Sequence, residues 1–336
     1  MAMAPLVSVV IPSYNHKRFV GQAVESVRAQ THPAVEIVVV DDGSSDGSFE
    51  FLRETVGDAL AVLRRHDNRG AHATINDAIA SATGDWIAIL NSDDLYAPQR
   101  IERLVDFATG AGHDLVFSDV AFCDETGPLP STHKVVQSHD RAVAAAAGGT
   151  IEQALLRGNF VLTTSNLLFR RDVFAAVGPF RPYRYCHDWD FLLRAIGAFR
   201  LGWLREPLLQ YRLHGSNTIR EPDHWRHLVE KALVYAGFLG GDTTRPAPAV
   251  EHSGWIFEAR ELSPVVVCWL AAECRRLGLA AVLQELEAGT LHRRVQAAFA
   301  DEAPARITAS VREMKKGGAM REIGRLLSGR DRNIRA

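Results

Sequence analysis

Residues 7–48 read VSVVIPSYNHKRFVGQAVESVRAQTHPAVEIVVVDDGSSDGS. The stretch opens on VSVVI and reaches VEIVVV, two runs that are apolar without alternation. A strand with one wet face alternates. One buried on both faces does not, and such strands belong to parallel sheets covered by helices. Between the two runs Val20, Ala23, Val24 and Val27 recur at helical spacing, and Asn15 stands where a helix cap belongs. Strand, helix, strand is the unit of an open α/β sheet.

Working outward, LAVL, WIAIL and DLVF repeat the strand signature, and Pro98 opens a helical pattern through Ile101, Leu104, Val105 and Ala108. Residues 121–150 show little periodicity and end in AVAAAAGG, which predicts a long loop. Short strands and helices return to about residue 217, with SNLLFRR and DFLLRAI. Beyond residue 221 strand patterns vanish, and Leu279, Val282, Leu283, Leu286, Leu291, Val295 and Phe299 recur at helical spacing. The expectation is an α/β, Rossmann-like, mostly parallel sheet with helices on both faces over 1–220, followed by a helical appendage over 221–336.

Composition narrows the function classes. With 336 residues, 47% hydrophobic, the chain can bury a core without disulfide staples. Its 38 basic against 40 acidic residues leave −2, no footprint for nucleic acid. Cys123, Cys186, Cys268 and Cys274 form no CxxC pair, so a thiolate zinc site is not expected and a reducing compartment is. The start lacks the basic region of a signal peptide, and the apolar run Val265 to Ala272 is too short to span a bilayer. A cytoplasmic protein is expected.

In open α/β sheets ligands bind outside the carboxyl ends of the strands. Those ends carry SYN, DDGSSDG and NSDD. Turn chemistry alone accounts for DDGSSDG, but a carboxylate there can also accept from a base or ribose, on which Tyr14 could stack. The adjacent Asp93 and Asp94 repel unless a cation sits beside them, and hard oxygen ligands suit Mg2+ or Mn2+ on phosphates. Two further clusters are His187-Asp188-Trp189-Asp190, where a helix starting near Trp189 would put Asp188 on its N-terminal lip, and Tyr211 to Asn217 around His214.

The ordered set of VSVVIPSYNHKRFVGQAVESVRAQTHPAVEIVVVDDGSSDGS, NRGAHATINDAIASATGDWIAILNSDD, SNLLFRRDVFAAVGPF, HDWDFLLR and YRLHGSNT resembles the bacterial family 2 glycosyltransferases over about residues 5–218. The resemblance implies a GT-A fold, with a nucleotide-binding half over 1–120 and an acceptor half over 121–220. It implies inverting transfer of a sugar, on the family's habit from a UDP donor, to a saccharide or lipid-linked saccharide in surface polysaccharide assembly. By position, Pro12, Tyr14, Asp42, Asn68, Gly70, Ala73, Asn76 and Asp93 would line the nucleotide, and Asp93, Asp94 and His214 would hold Mn2+ or Mg2+. Asp188 would be the catalytic base. Asn91 stands where many members have an acid, and His187 where many have Glu.

The chemistry agrees. A leaving nucleoside diphosphate needs charge stabilisation, and the attacking hydroxyl needs a base. A nicotinamide dehydrogenase would need G-x-G-x-x-G after a strand, and the one similar piece, Gly110-Ala111-Gly112, ends a helix. A sugar-phosphate nucleotidyltransferase, or a non-catalytic sugar-nucleotide-binding protein, is the alternative. The tail over 306–336, with nine basic against three acidic residues and an apolar side, predicts peripheral contact with an anionic membrane.

Overall fold

The computed structural model describes residues 4–218, 221, 224–238 and 264–298. The two opening runs are strands β1 (Val7–Ser13) and β2 (Val35–Asp41), paired in parallel with Val7 opposite Val35. Helix α1 (Lys17–Arg28) joins them and buries Phe19, Val20, Ala23, Val24 and Val27, the face its spacing predicts. The pattern repeats through α2 (Ser48–Thr55), β3 (Val62–Arg65), α3 (Ala71–Ser81) and β4 (Trp86–Ile89). β3 pairs in parallel with β2, and β4 with β1. Val9, Val10, Ile11, Val38, Val39 and Ile87 are all fully buried, as strands covered on both faces must be.

Beyond β4 the sheet becomes mixed. The chain continues through β5 (Leu95–Tyr96), α4 (Arg100–Ala111), β6 (Leu115–Asp124), β7 (Gly127–Pro128), α5 (Lys134–Ala146) and α6 (Ile151–Arg157). β8 (Leu168–Arg170), α7 (Arg171–Val177), α8 (His187–Ala195) and β9 (Leu201–Arg212) follow. The strand order is β3-β2-β1-β4-β8-β6-β9-β5, with β7 against β6. β8 is antiparallel to β4 and β6, while β9 is parallel to β6 and antiparallel to β5. The β6–β9 pair shifts register on both sides of Asp119, which faces Pro207. A proline has no N–H for the ladder, so an irregularity is where a strand can house one.

Three local expectations are corrected. Asn15 does not cap α1: it lies at φ 52°, and its Oδ1 accepts from Ser45 N at 2.8 Å. The cap comes from the neighbouring strand end, where the Asp46 carboxylate accepts from Lys17 N at 2.9 Å and Ser48 N at 3.0 Å. Adjacent parallel strands set their C-terminal loops side by side, so one acceptor serves the first turns of α1 and α2. Residues 121–150 are not a loop but the end of β6, its hairpin with β7, and the 13-residue α5. The alanine run looks like low complexity, yet alanine has the highest intrinsic helix propensity. Finally, α8 begins at His187 rather than Trp189.

Two compact units divide the chain. The first comprises 1–152, 159–180 and 194–217 and carries every strand of the sheet. The second comprises 153–158, 181–193 and the residues from 218 onward. Its described helices include α9 (His224–Ala236), Pro264–Leu277, Leu279–Glu287 and Leu291–Ala298, the last two burying Leu279, Val282, Leu283, Leu291 and Val295. Within this unit Trp189 Nε1 donates to Leu155 O at 2.9 Å, and Tyr235 O–H donates to Leu156 O at 3.0 Å. Glu230 accepts from Arg184 N at 2.9 Å and Tyr185 N at 2.7 Å. Burial nevertheless pushes its carboxyl up to about 7. No described helix is long and apolar enough to cross a membrane. The basic tail 306–336 and Phe299 lie outside the described residues.

Candidate active site

The strand order places a switch point at β1, which has β2 on one side and β4 on the other. Connections that leave a strand in opposite directions open a crevice at its carboxyl end. Tyr14 to His16 follow β1 there, and Asn91 to Asp94 follow β4. A third segment arrives by a different route. β5 comes directly after Asp94 and pairs with the end of β9, Leu95 opposite Gln210, which brings His214 beside Asp93.

His16, Asp93 and His214 each offer a donor atom within 4.8 Å of the other two. His214 Nε2 lies 2.8 Å from Asp93 Oδ2, and its Nδ1 2.9 Å from Ser216 Oγ. His16 Nδ1 lies 2.8 Å from Ser92 Oγ. The two imidazoles meet edge to face at 5.4 Å, and Phe19 packs on His214 at 4.9 Å. Asn217 braces the group: its Oδ1 accepts from His214 N at 2.6 Å, and its Nδ2 donates to Arg212 O at 3.1 Å and Asp93 Oδ2 at 3.4 Å. Burial opposes a charge on Asp93, but the hydrogen bond from His214 and the two nearby imidazoles outweigh it and hold the carboxyl below its ordinary range. Burial lowers His16, against the attraction of Asp93. His16 and His214 line a cleft of about 240 Å3, together with Arg18, Asp46 and Glu125.

The structure parts the two adjacent carboxylates. Asp94 is 1% exposed, and both its oxygens are engaged: Oδ2 accepts from Ser165 Oγ at 2.6 Å and Oδ1 from Arg212 N at 3.0 Å. Burial, then the charge of Asp93, raises its carboxyl well above the usual range. Asn91 is tied down likewise, its amide bonded to Thr163 Oγ1 and Thr164 Oγ1, both at 3.0 Å. Asp94 and Asn91 thus fasten the end of β4 to residues 163–165, and Asp94 also to β9.

Of the residues expected around a nucleotide, Tyr14 is the one large apolar side chain left exposed among the described residues, at 46%. Pro12 is half-buried within β1. Asp42 is buried, with Oδ1 accepting from Arg69 N at 2.7 Å and Oδ2 from Gly70 N at 2.9 Å. Gly43 has φ +75°, and a Cβ there would lie 2.9 Å from Asn68 N. Only glycine allows this approach, so Gly43 lies against the backbone of Asn68 while Asp42 meets Arg69 and Gly70 through theirs. Asn68 stays exposed, and Ala73 half-buried on α3. Asn76 is engaged elsewhere, with Nδ2 donating to Phe180 O and Oδ1 accepting from Phe180 N, both at 2.9 Å.

Asp188 belongs to the second unit, buried in the first turn of α8, where its Oδ1 accepts from Trp189 N at 2.7 Å. Asp190 forms an ion pair with Arg181 at 3.2 Å. Burial pushes the neighbouring His187 down to about 4. His16 is the residue that sequence reasoning missed. Nothing in SYNH marks it, because its partners are contributed by β4 and β9.

The model of glycosyl transferase family 2 matches residues 8–178. A Bacillus subtilis (strain 168) protein named "Putative teichuronic acid biosynthesis glycosyltransferase TuaG" is 37% identical over 236 residues, covering 69% of this chain and 87% of its own. An uncharacterised glycosyltransferase of Nostoc sp. is 34% identical over 224 residues, 63% of this chain and 66% of that protein. In fold the chain is similar to residues 1–349 of S. aureus TarS in complex with UDP-GlcNAc, with TM-score 0.57, 15% identity, and 93% and 92% of the two chains covered. It is also similar to the mannosyltransferase PcManGT of Pyrobaculum calidifontis in complex with GDP-Man and Mn2+, with TM-score 0.53, 18% identity, and 92% and 86% covered. The fold is of the GT-A glycosyltransferase type. With the family model matching half of the chain and a relative of this closeness, the protein belongs to glycosyl transferase family 2.

Proposed function

We propose that this glycosyltransferase moves a sugar, with inversion, from a UDP-sugar to a saccharide or lipid-linked saccharide acceptor in surface polysaccharide assembly. The observation that carries the reading is the meeting of Asp93 and His214 at the carboxyl ends of β4 and β9. Nucleotide-sugars bound to two proteins of the same fold, and the name of the TuaG relative, support the donor and acceptor classes.

An ionised carboxylate against an imidazole is a donor set that fits a divalent cation, so Asp93 and His214 would hold Mn2+ or Mg2+. Such an ion supplies charge stabilisation to the leaving diphosphate. Asp94, with both oxygens engaged, serves as the buttress of that loop. Tyr14 offers its exposed ring to the nucleobase, and the Asp42 to Gly70 junction borders the nucleoside. Asp188, by the family resemblance, is the general base. The acceptor oxygen forms its bond to the anomeric carbon, the bond from that carbon to the diphosphate breaks, and the acceptor proton passes to the Asp188 carboxylate. Contact of residues 306–336 with anionic membrane is part of the same reading and is tested by vesicle sedimentation before and after their deletion.

The experiment is a thermal-stabilisation panel of UDP-, GDP- and dTDP-sugars, with Mn2+ and with chelator. A donor at a hundred times its Kd should add about 2.7 kcal/mol. The expected result is stabilisation by one or more UDP-sugars that disappears on chelation. A panel in which no nucleotide-sugar stabilises the protein would sink the reading.

A further inference from the structure

We propose that His16 is a third metal ligand, completing a set of two imidazoles and one carboxylate that favours cations accepting imidazole nitrogen, such as Mn2+ and Co2+, over Mg2+. The inference rests on the reading of Asp93 and His214 as metal ligands.

Four observations support it. The donors of His16, Asp93 and His214 already lie within 4.8 Å of one another, close enough to share one ion. Each imidazole has Nδ1 beside a serine hydroxyl, Ser92 for His16 and Ser216 for His214, which sets the ring, and the Nε2 of His214 faces Asp93 Oδ2 at 2.8 Å. Metal-binding histidines characteristically have this outer hydrogen bond on the nitrogen that does not ligate. The local fold does not need the imidazole either: His16 is the N-cap residue of α1, yet its side chain makes no capping bond, and Asp46 performs that task. Finally, the three segments are braced independently, by Asn15 on Ser44 and Ser45, by Arg212 on Asp94, and by Asn217 on His214. The donors are therefore assembled before any ligand arrives.

The donor chemistry decides the selectivity. Mg2+ prefers oxygen and keeps its waters, whereas imidazole suits transition-series ions. Three protein donors leave further positions open to oxygen ligands, as a catalytic rather than a structural site requires.

The test uses the full-length chain and Mn2+ as probe, alone and again with UDP, so that a site tightened by nucleotide is counted. Electron spin echo modulation of bound Mn2+ should show two coupled imidazole nitrogens in the wild type. It should show one in His16→Ala, in His16→Gln (which retains a polar partner for Ser92) and in His214→Ala. Calorimetry should find Mn2+ affinity weakened about 10–100-fold in both His16 variants, with Mg2+ affinity little changed. Thermal melts in chelator identify a variant that has merely lost its fold, and the Gln variant guards against that outcome. The inference is overturned if the His16 variants bind Mn2+ as tightly as wild type or if the nitrogen count does not fall. If binding then still depends on Asp93 and His214, the metal reading stands without His16. If Mn2+ binding ignores all three residues, both fail.

Discussion

Replacing Asp94 with alanine should weaken the fold and spare the metal, although Asp94 adjoins Asp93 in the NSDD loop. Its carboxylate satisfies two buried donors, Ser165 Oγ at 2.6 Å and Arg212 N at 3.0 Å. Each buried donor left without a partner costs about 1–3 kcal/mol. Part of that returns, because burial and the neighbouring Asp93 already disfavour the charged form of Asp94. The net loss should be about 2–4 kcal/mol, which lowers Tm by about 5–15 °C in a domain of this size. Asp94→Asn retains the shape and one acceptor, so it should cost less, about 0–1.5 kcal/mol. Thermal melts in chelator read the stability, and Mn2+ calorimetry reads the site. Both variants should bind Mn2+ within about threefold of wild type, about 0.7 kcal/mol. The reasoning is refuted if Asp94→Asn melts like wild type yet loses Mn2+ affinity tenfold or more, for then Asp94 ligates the ion.

Asp188→Asn keeps the side-chain shape but cannot take a proton, so it should reduce turnover about 10²–10⁴-fold with donor affinity intact, as steady-state kinetics and calorimetry would show. Tyr14→Ala should weaken UDP binding by about 1–3 kcal/mol, as base stacking is worth, with Tyr14→Phe near wild type and both melting normally, since the ring is 46% exposed. Glu230 has its carboxyl raised from 4.5 to about 7, so the fold favours its protonated form. That contribution is complete below about pH 4.5 and lost as pH rises through about 7. Denaturant melts should therefore show stability declining across that window, by at most about 3 kcal/mol, and Glu230→Gln should flatten the slope.

The parallel half of the sheet was legible because its strands are buried on both faces: VSVVI and VEIVVV admit no other reading at that length. The same clarity extended to α1, whose apolar face is written at helical spacing. What escaped was non-local. Asp46 caps α1 from another strand end, across a separation that no capping box spans. The helix α5 buries only His139 and Ala146, so no stripe of core residues announces it, and the alanines at its end read as low complexity. In the site, Asp93 and His214 carried chemical signals of their own, whereas His16 acquires meaning only when β1, β4 and β9 end together. The two Asp of NSDD look equivalent in sequence; the hydroxyl of Ser165 and the backbone of Arg212 claim one of them and leave the other to His214.

The most direct test of the central claim is the affinity of UDP measured calorimetrically, with Mn2+ and with chelator, in wild type, Asp93→Ala and His214→Ala. The strand-end site predicts tight binding to the wild type in Mn2+, a loss of at least tenfold on chelation, about 1.4 kcal/mol, and a comparable loss in either variant with the metal present. Equal UDP affinity in all of these conditions would contradict it.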